Sequence, residues 1–430
     1  MGNADGPLLV KGGRVVDPSQ GLDALRDLRI ENGRIVEIGE DLDPGDAATF
    51  DASGAIVAPG FVDMHVHLRE PGFPQKETIA TGTAAAANGG FTAVACMPNT
   101  EPALDDPGVI ERLTAKIAGE AVCRVYPIGA ITRERRGRVP CDFAALARAG
   151  AVAFSDDGTS VADAGVLRTA AMAARTVAGV FISHCEDESL KAHGVMNEGA
   201  ASRALGVAAS PSVAEDVVVA RDLLIAADTR KAWHVAHAST RRALELVRWA
   251  RSIGAAATCE VTPHHLTFTD EAVAELGTSA KVNPPLRTLD DVRALRDGVR
   301  DGTVDVLATD HAPHTAQEKA EDLERAAVGF SGLEIAIGAY ADALEGLPLH
   351  RFVALLSTNP ARILGVPGGT LAVGSAADVT IFADRPWIVD PARFASKGRS
   401  TPFAGRRLPR RALAVVVGGR LRAGFQPAPG

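Results

Sequence analysis

The chain predicts an α/β fold: a (β/α)₈ TIM barrel with a small β-sandwich domain built from both chain ends. Three observations predict it. Short apolar strands alternate with helical stretches over about 300 residues, the order of a parallel barrel. Polar residues close almost every one of those strands, and barrel strand ends meet at one face. Strand-like segments punctuated by turn residues gather at the two ends. A doubly wound sheet is the alternative, disfavoured because no G-x-G-x-x-G follows an early strand.

Taken in order, Leu8–Lys11, Arg14–Val16, Asp27–Glu31 and Arg34–Ile38 read as strands separated by Gly-Gly, Pro-Ser and Asn-Gly. Asn32-Gly33 is a hairpin signal, because a primed turn needs positive φ at both positions. The middle offers strands at Thr92–Cys96, Val122–Pro127, Ala151–Ser155, Val180–His184, Ala232–Ala236, Ala256–Glu260 and Val306–Thr309. One intervening helix is plain: Arg241 to Ser252 sets Ala243, Leu244, Leu246, Val247, Trp249 and Ala250 among charges. At the far end come Val379–Phe382, Ala414–Val417 and a Gly418-Gly419 turn. The expected division is a composite β domain from residues 1–57 and 366–430, and a catalytic barrel over 58–365. Thr315 to Ser331, charged along Gln317–Asp322, is expected to be a mobile loop over the site, with a short helix as the alternative.

Composition narrows the function classes. Hydrophobic residues are 46% and charged residues 23% of the 430, an ordinary globular balance. A net charge of −8 gives no electrostatic footprint for nucleic acid. The cluster Arg406, Arg407, Arg410 and Arg411 reads as solvated surface. Five widely spaced cysteines without a C-x-x-C argue for a reducing compartment. Met1 to Pro7 is polar and lacks an apolar signal segment, and no apolar run approaches the ~20 residues of a membrane span. The expectation is a cytoplasmic protein with neither nucleic-acid nor membrane partners.

The sharpest chemical signal is Gly60-Phe61-Val62-Asp63-Met64-His65-Val66-His67. A strand closing in His-x-His puts both imidazoles on one face, where they can bind one metal ion. Other strand ends add Asp156-Asp157, His184, His237 and Asp310. Charged and imidazole groups gather at one barrel mouth only if something neutralises them, and a divalent cation does so simply. Of the remaining histidines, His264 and His265 read as supports at a strand end, His234 as core, and His193 and His350 as surface. Cys185 and Cys259 read as small fillers.

These residues carry a resemblance. The His-x-His, two later single histidines and a final Asp resemble the amidohydrolase superfamily and, within it, the type I dihydroorotase family. The strings are His67-Leu68-Arg69-Glu70-Pro71-Gly72, Met97-Pro98-Asn99-Thr100, Ser155-Asp156-Asp157-Gly158, His184-Cys185-Glu186-Asp187, Asn283-Pro284-Pro285-Leu286-Arg287 and Thr309-Asp310-His311-Ala312-Pro313-His314. Asn359-Pro360-Ala361-Arg362 and Gly374-Ser375-Ala376-Ala377-Asp378 extend the likeness to nearly the whole chain.

By that resemblance His65, His67 and Asp310 hold a first metal, His184 and His237 a second, and Asp157 bridges them. The expected metal is Zn²⁺, two per subunit, with Mn and Co as other fits. Many superfamily members bridge with a carboxylated lysine, but Ala149 to Ser160 contains none. The implied activity is dihydroorotase: reversible hydrolysis and cyclisation between dihydroorotate and N-carbamoyl-aspartate in pyrimidine (UMP) biosynthesis. A metal-bound hydroxide attacks the ring amide and Asp310 shuttles the proton. Arg69, Asn99 and His314 are the expected grip on a substrate carboxylate, and Asn283 on the ring. Arg69 as a surface ion pair and Asn283 as a turn former are the bland alternatives. Two other functions compete: a hydantoinase, dihydropyrimidinase or allantoinase, and a non-catalytic barrel serving as scaffold for aspartate transcarbamoylase. Expected partners are the small-molecule substrate, a second copy of the chain in a homodimer, and aspartate transcarbamoylase.

Overall fold

The computed structural model describes residues 6–423. The polar start expected at Met1 to Pro7 therefore lies, up to residue 5, outside the described residues. Eight parallel strands follow one another around a barrel: Phe61–Val66, Phe91–Cys96, Arg124–Gly129, Ala153–Ser155, Phe181–Ser183, Trp233–Val235, Ala257–Val261 and Val306–Leu307. The seam between last and first strand is closed by a parallel bridge, Val66 to His311, and by His67 N donating to His311 O at 2.8 Å.

The barrel strands are buried on both sides, and successive residues alternate between the two faces of the wall. Ala93 and Ala95 belong to a cluster with Val62, Met64, Ala153, Ile182 and Val306 toward the axis. Their neighbours Val94 and Cys96 join Phe91, Phe154, Phe181 and Trp233 against the helices. The helix Arg241–Ser252 shows why these segments coil. Thr240 caps it by accepting from Ala243 N at 2.9 Å, and Ala243, Leu244, Val247 and Ala250 form its buried stripe. Trp249, read with that stripe, instead stands 41% exposed at its edge.

Both chain ends contribute to one further sheet. Its order runs Arg420–Ala423, Arg411–Val417, Val379–Ala383, Ile56–Pro59, Leu8–Asp17, Leu22–Glu31, Arg34–Gly39, with Ala48–Asp51 also on Leu8–Asp17. The Gly12-Gly13 break expected between two short strands is instead a bulge inside one long strand. Gly12 has φ +74°, and a Cβ on Gly13 would stand 2.4 Å from Val57 Cγ2. The bulge lets Leu8–Lys11 pair with Ala48–Asp51 while Arg14 and Val15 pair with Ile56 and Val57. Ile56–Pro59 then runs through Gly60 into the first barrel strand. A Cβ on Gly60 would meet Thr92 Oγ1 at 2.1 Å, so the crossing demands glycine.

The segment from Thr315 to Ser331 stands beside the barrel mouth, with a short helix at Ala316–Lys319. No helix among the described residues is long and apolar enough to cross a membrane.

Candidate metal centre

The strand ends bring six side chains together. His65 is fully buried, and its Nδ1 donates to Glu260 Oε1 at 2.6 Å. The Nδ1 of His67 donates to Asn99 Oδ1 at 2.8 Å. Both rings therefore turn Nε2 inward. His65 Nε2 lies 3.3 Å from Asp157 Oδ1 and 3.5 Å from Asp310 Oδ1. His67 Nε2 lies 3.1 Å from Asp310 Oδ1 and 3.6 Å from Asp157 Oδ2. His184 is turned the other way. Its Nε2 meets Glu186 Oε2 at 3.0 Å, so Nδ1 faces the centre, 2.9 Å from His237 Nε2 and 3.7 Å from Asp157 Oδ1. His237 Nε2 is 3.9 Å from the same oxygen. The two aspartates at the fourth strand part company. Asp156 accepts from Ile131 N, Thr132 N and Thr132 Oγ1, which leaves Asp157 to face the histidines.

Local backbone helps. His237, Asp310 and Arg69 have φ of +32°, +49° and +63°, left-handed values that cost a non-glycine residue about 1–3 kcal/mol. Each stands where a strand turns abruptly into its loop, so the strain is spent on aiming a side chain inward.

Several supporting residues escaped the sequence reading. Glu260 lies under the centre. Besides His65 it accepts from His237 N at 3.1 Å and from His234 Nε2 at 3.1 Å. His234, expected as plain core packing, is a fully buried donor to that carboxylate. Asp63 ties the closing seam, accepting from His65 N at 3.1 Å and Thr309 Oγ1 at 2.5 Å. A signal for Glu260 existed: a carboxylate inside an apolar strand is costly unless paired. His265 reaches Pro284 O at 2.9 Å and so anchors the Asn283 loop, whereas the His264 ring is buried with no hydrogen-bond partner for either nitrogen among the described residues.

The electrostatics of the cluster suit a cation. Burial opposes charge on His65, but Glu260, Asp157 and Asp310 outweigh it and hold the imidazole well above its ordinary value. Burial likewise opposes ionisation of Asp310, yet His65 and His67 keep its carboxyl well below the usual range. Burial and the neighbouring His184 and His65 press His237 down to about 3. Inside the cluster, His65 Nε2 and Asp157 Oδ1 are buried with no hydrogen-bond partner. Such atoms cost about 1–3 kcal/mol each unless something binds them. The donors of His65, His67 and Asp310, and those of His65, Asp157 and His237, lie within 4.8 Å of one another. Imidazole and carboxylate at this spacing fit divalent metal.

Above this floor is a cavity of about 330 Å³. Arg69, Asn99, Asn283 and His314 all line it. Arg69 is nearly buried; its Nε donates to Pro313 O at 3.2 Å and its Nη2 lies 3.1 Å from His314 Nε2. Burial lowers the guanidinium to about 10, so it remains a cation at neutral pH. Burial, Arg69 and Lys76 lower His314 to about 3, so that ring is neutral. Asn99 links two cluster members, since its Nδ2 donates to Asp157 Oδ2 at 3.2 Å. The Asn283 amide donates to Val282 O at 2.9 Å and accepts from Lys191 Nζ at 2.7 Å.

A parallel barrel carrying histidines and aspartates at its strand ends defines a metal-dependent hydrolase of the amidohydrolase type. The family model described as dihydro-orotase-like matches residues 54–243. The chain is 51% identical to a dihydroorotase of Pelotomaculum thermopropionicum, over 96% of this chain and 98% of the relative. It is 45% identical to a dihydroorotase of Syntrophus aciditrophicus, again over 96% and 98%. The chain belongs to the dihydroorotase family. Among solved structures it resembles an L-hydantoinase (dihydropyrimidinase) from Arthrobacter aurescens, with TM-score 0.87 and 25% identity over 97% of this chain and 96% of that one. A dihydropyrimidinase from Brevibacillus agri shares the fold at TM-score 0.84 and 22% identity, over 97% and 95%.

Proposed function

We infer that the chain is a dihydroorotase, interconverting dihydroorotate and N-carbamoyl-aspartate in pyrimidine biosynthesis. One observation carries the choice of substrate within the family's chemistry. Arg69 Nη2 and His314 Nε2 converge at 3.1 Å beside the metal cluster, both as donors. Val328 O lies 2.8 Å from the same His314 nitrogen, so a bound anion would share that N–H with the carbonyl while the Arg69 guanidinium offers donors of its own, and dihydroorotate carries a carboxylate on its ring.

His65, His67 and Asp310 would hold one divalent ion, His184 and His237 a second, with Asp157 between them. Zinc is the expected element, and such ions supply a Lewis acid for the ring amide carbonyl and an acidified water. Asp310 stays ionised and takes the proton of the attacking water as that oxygen bonds to carbon. It then returns the proton to the leaving ring nitrogen. Arg69 and His314 grip the carboxylate, Asn283 holds the ring, and Asn99 keeps His67 and Asp157 in place while facing the same cavity. Ring opening creates a carboxylate and releases a proton, so high pH favours opening and low pH closure. Asp157→Ala should strip metal from the protein, while Asp156→Ala, which only removes an acceptor for the loop at 131–132, should retain it; metal analysis of both variants checks this.

Five free, buried cysteines support a reducing, cytoplasmic setting. The proposed division is residues 1–57 with 366–430 against 58–365; the sheet shared by both ends supports it, with the strand Ile56–Pro59 running across the boundary into the barrel. Sedimentation alone and with aspartate transcarbamoylase tests the two expected protein partners. The reaction itself is tested by assaying metal-loaded protein on dihydroorotate, hydantoin and allantoin. Turnover confined to dihydroorotate is expected. Turnover of hydantoin or allantoin alone would overturn the reading, and none at all would favour a scaffold.

A further inference from the structure

The cavity wall facing the strand ends is irregular backbone, and two buried lysines hold it. Lys319 closes the helix Ala316–Lys319 and sends its Nζ onto Ala327 O at 2.8 Å and Gly329 O at 2.9 Å. Lys281 Nζ donates to Glu324 O at 3.0 Å and Ala326 O at 2.8 Å. The two side chains are 7% and 5% exposed, and neither forms an ion pair among the described residues. An ammonium buried against neutral acceptors alone is an expensive choice. Burial lowers both groups, Lys319 to about 8 with Lys281 adding repulsion. An apolar side chain would fill the same space at lower cost, so the carbonyls themselves are what the lysines serve.

The two carbonyls that Lys319 holds belong to residues of the cavity wall, and the two that Lys281 holds lie just before them in the same segment. Ala327, Val328 and Gly329 line the cavity, and Gly329 N donates to Lys281 O at 2.9 Å. Gly329 packs so closely that a Cβ would stand 2.5 Å from Ala312 Cβ. Between the clamped residues, Val328 O lies 2.8 Å from His314 Nε2. Lys76 Nζ approaches the other ring nitrogen at 3.4 Å as a donor. The proton is therefore on Nε2, and Val328 O accepts it. This bond holds the ring 3.1 Å from Arg69 Nη2.

We propose that Lys281 and Lys319 are positioning residues for substrate binding: their ammonium groups hold the 324–329 backbone so that Val328 O fixes the His314 ring beside Arg69. The proposal rests on the dihydroorotase reading above, in which that pair grips the substrate carboxylate. The lysines act through His314 and touch neither substrate nor metal, so their removal should loosen binding and spare the chemical step.

Lys281→Met and Lys319→Met, made in the full chain and loaded with metal, test it. KM for dihydroorotate should rise about tenfold or more while kcat stays within about threefold, the signature of lost binding without lost transition-state stabilisation. Metal content should not change, and amide hydrogen exchange over 324–329, measured without substrate, should quicken. Lys319→Gln keeps two N–H donors for the two carbonyls and should restore most of the KM. It also stands in if the methionine variants do not fold. Unchanged KM, exchange at the parental rate, or a fall in kcat that follows metal loss each overturns the proposal. Should the parent protein turn over hydantoin and not dihydroorotate, the substrate reading fails, while the exchange measurement still judges the clamp.

Discussion

On the floor of the cavity, side chains from barrel strands hold one another. Glu260 of the seventh strand fixes His65 of the first, and Glu186 fixes His184 at the end of the fifth. On the facing wall the partners are backbone carbonyls of loops: Pro313 O for Arg69, Val328 O for His314, and four carbonyls for two lysines. The floor is thus built on ladders that cannot shift without unpairing a sheet, and the wall on segments that can be rebuilt singly. The proposed reading places chemistry on the first and substrate choice on the second. On that reading, loops of the wall can vary singly while the floor stays the same.

Variants can break or sharpen that contrast. The largest effect is expected on the floor, at Asp310. Asp310→Asn preserves size but cannot accept the proton, so kcat should fall by about 10²–10⁴ with little change in KM. Kinetics and metal stoichiometry on one sample decide the matter: a fully metallated, near-normally active variant would refute the shuttle. Next comes Glu260→Gln, which weakens the hold on His65 and His234. Metal affinity should drop roughly 10–100-fold, measured by chelator competition, with KM of the reloaded enzyme nearly unchanged. On the wall, Arg69→Met removes a charge-assisted partner worth roughly 1.5–3 kcal/mol, so KM should rise about tenfold or more while metal content holds. A loss of metal in this variant would show that wall and floor are not separable.

The smallest effect is a pH dependence outside both floor and wall. Glu334, in the turn Leu333–Ile335, accepts from Asn88 Nδ2, Ala395 N and Ser396 N, joining the helix Ile79–Asn88 to residues 395–396. Burial, first among the causes, raises its carboxyl from 4.5 to about 7. A raised acid binds its proton in the folded state when the unfolded chain has lost it. Its contribution is therefore full below pH 4.5 and is lost as pH climbs through about 7. Glu334→Gln should flatten thermal stability across that window, and a melting curve still as steep as the parent's would exclude the group as its source.

The contrast also explains what a reader of the sequence can see. His65, His67, His184, His237 and Asp310 announce themselves because each closes an apolar strand, and His-x-His has the period of the strand itself. Their supports give no such local sign. Glu260 meets His65 across 195 residues, and Asp63 meets Thr309 across 246, so no spacing rule joins them. Lys281 and Lys319 sit among ordinary charges, and only the fold reveals that their heads are buried in a loop. At the amino end, the pattern of Leu8–Asp17 suggested two strands because Gly12-Gly13 is also the signature of a turn. The close approach of Val57 that makes it a bulge depends on tertiary packing.

The sheet that both chain ends build sets a schedule for synthesis. Phe61 N, at the entry to the first barrel strand, bonds Thr380 Oγ1 from 319 residues further on, and Asp17 waits for Leu371 N across 354. At about 5–20 residues per second, a ribosome leaves those early strands without their partners for roughly 15–70 seconds. During that interval Leu8–Asp17 already has Leu22–Glu31, Ala48–Asp51 and Ile56–Pro59 beside it, but Ile56–Pro59 is an apolar strand with one open edge, the kind of surface that pairs with a neighbouring nascent chain. The barrel can assemble around its own adjacent strands in the meantime, so Val379–Ala383 and Arg411–Val417 arrive at a nearly finished body and seal it.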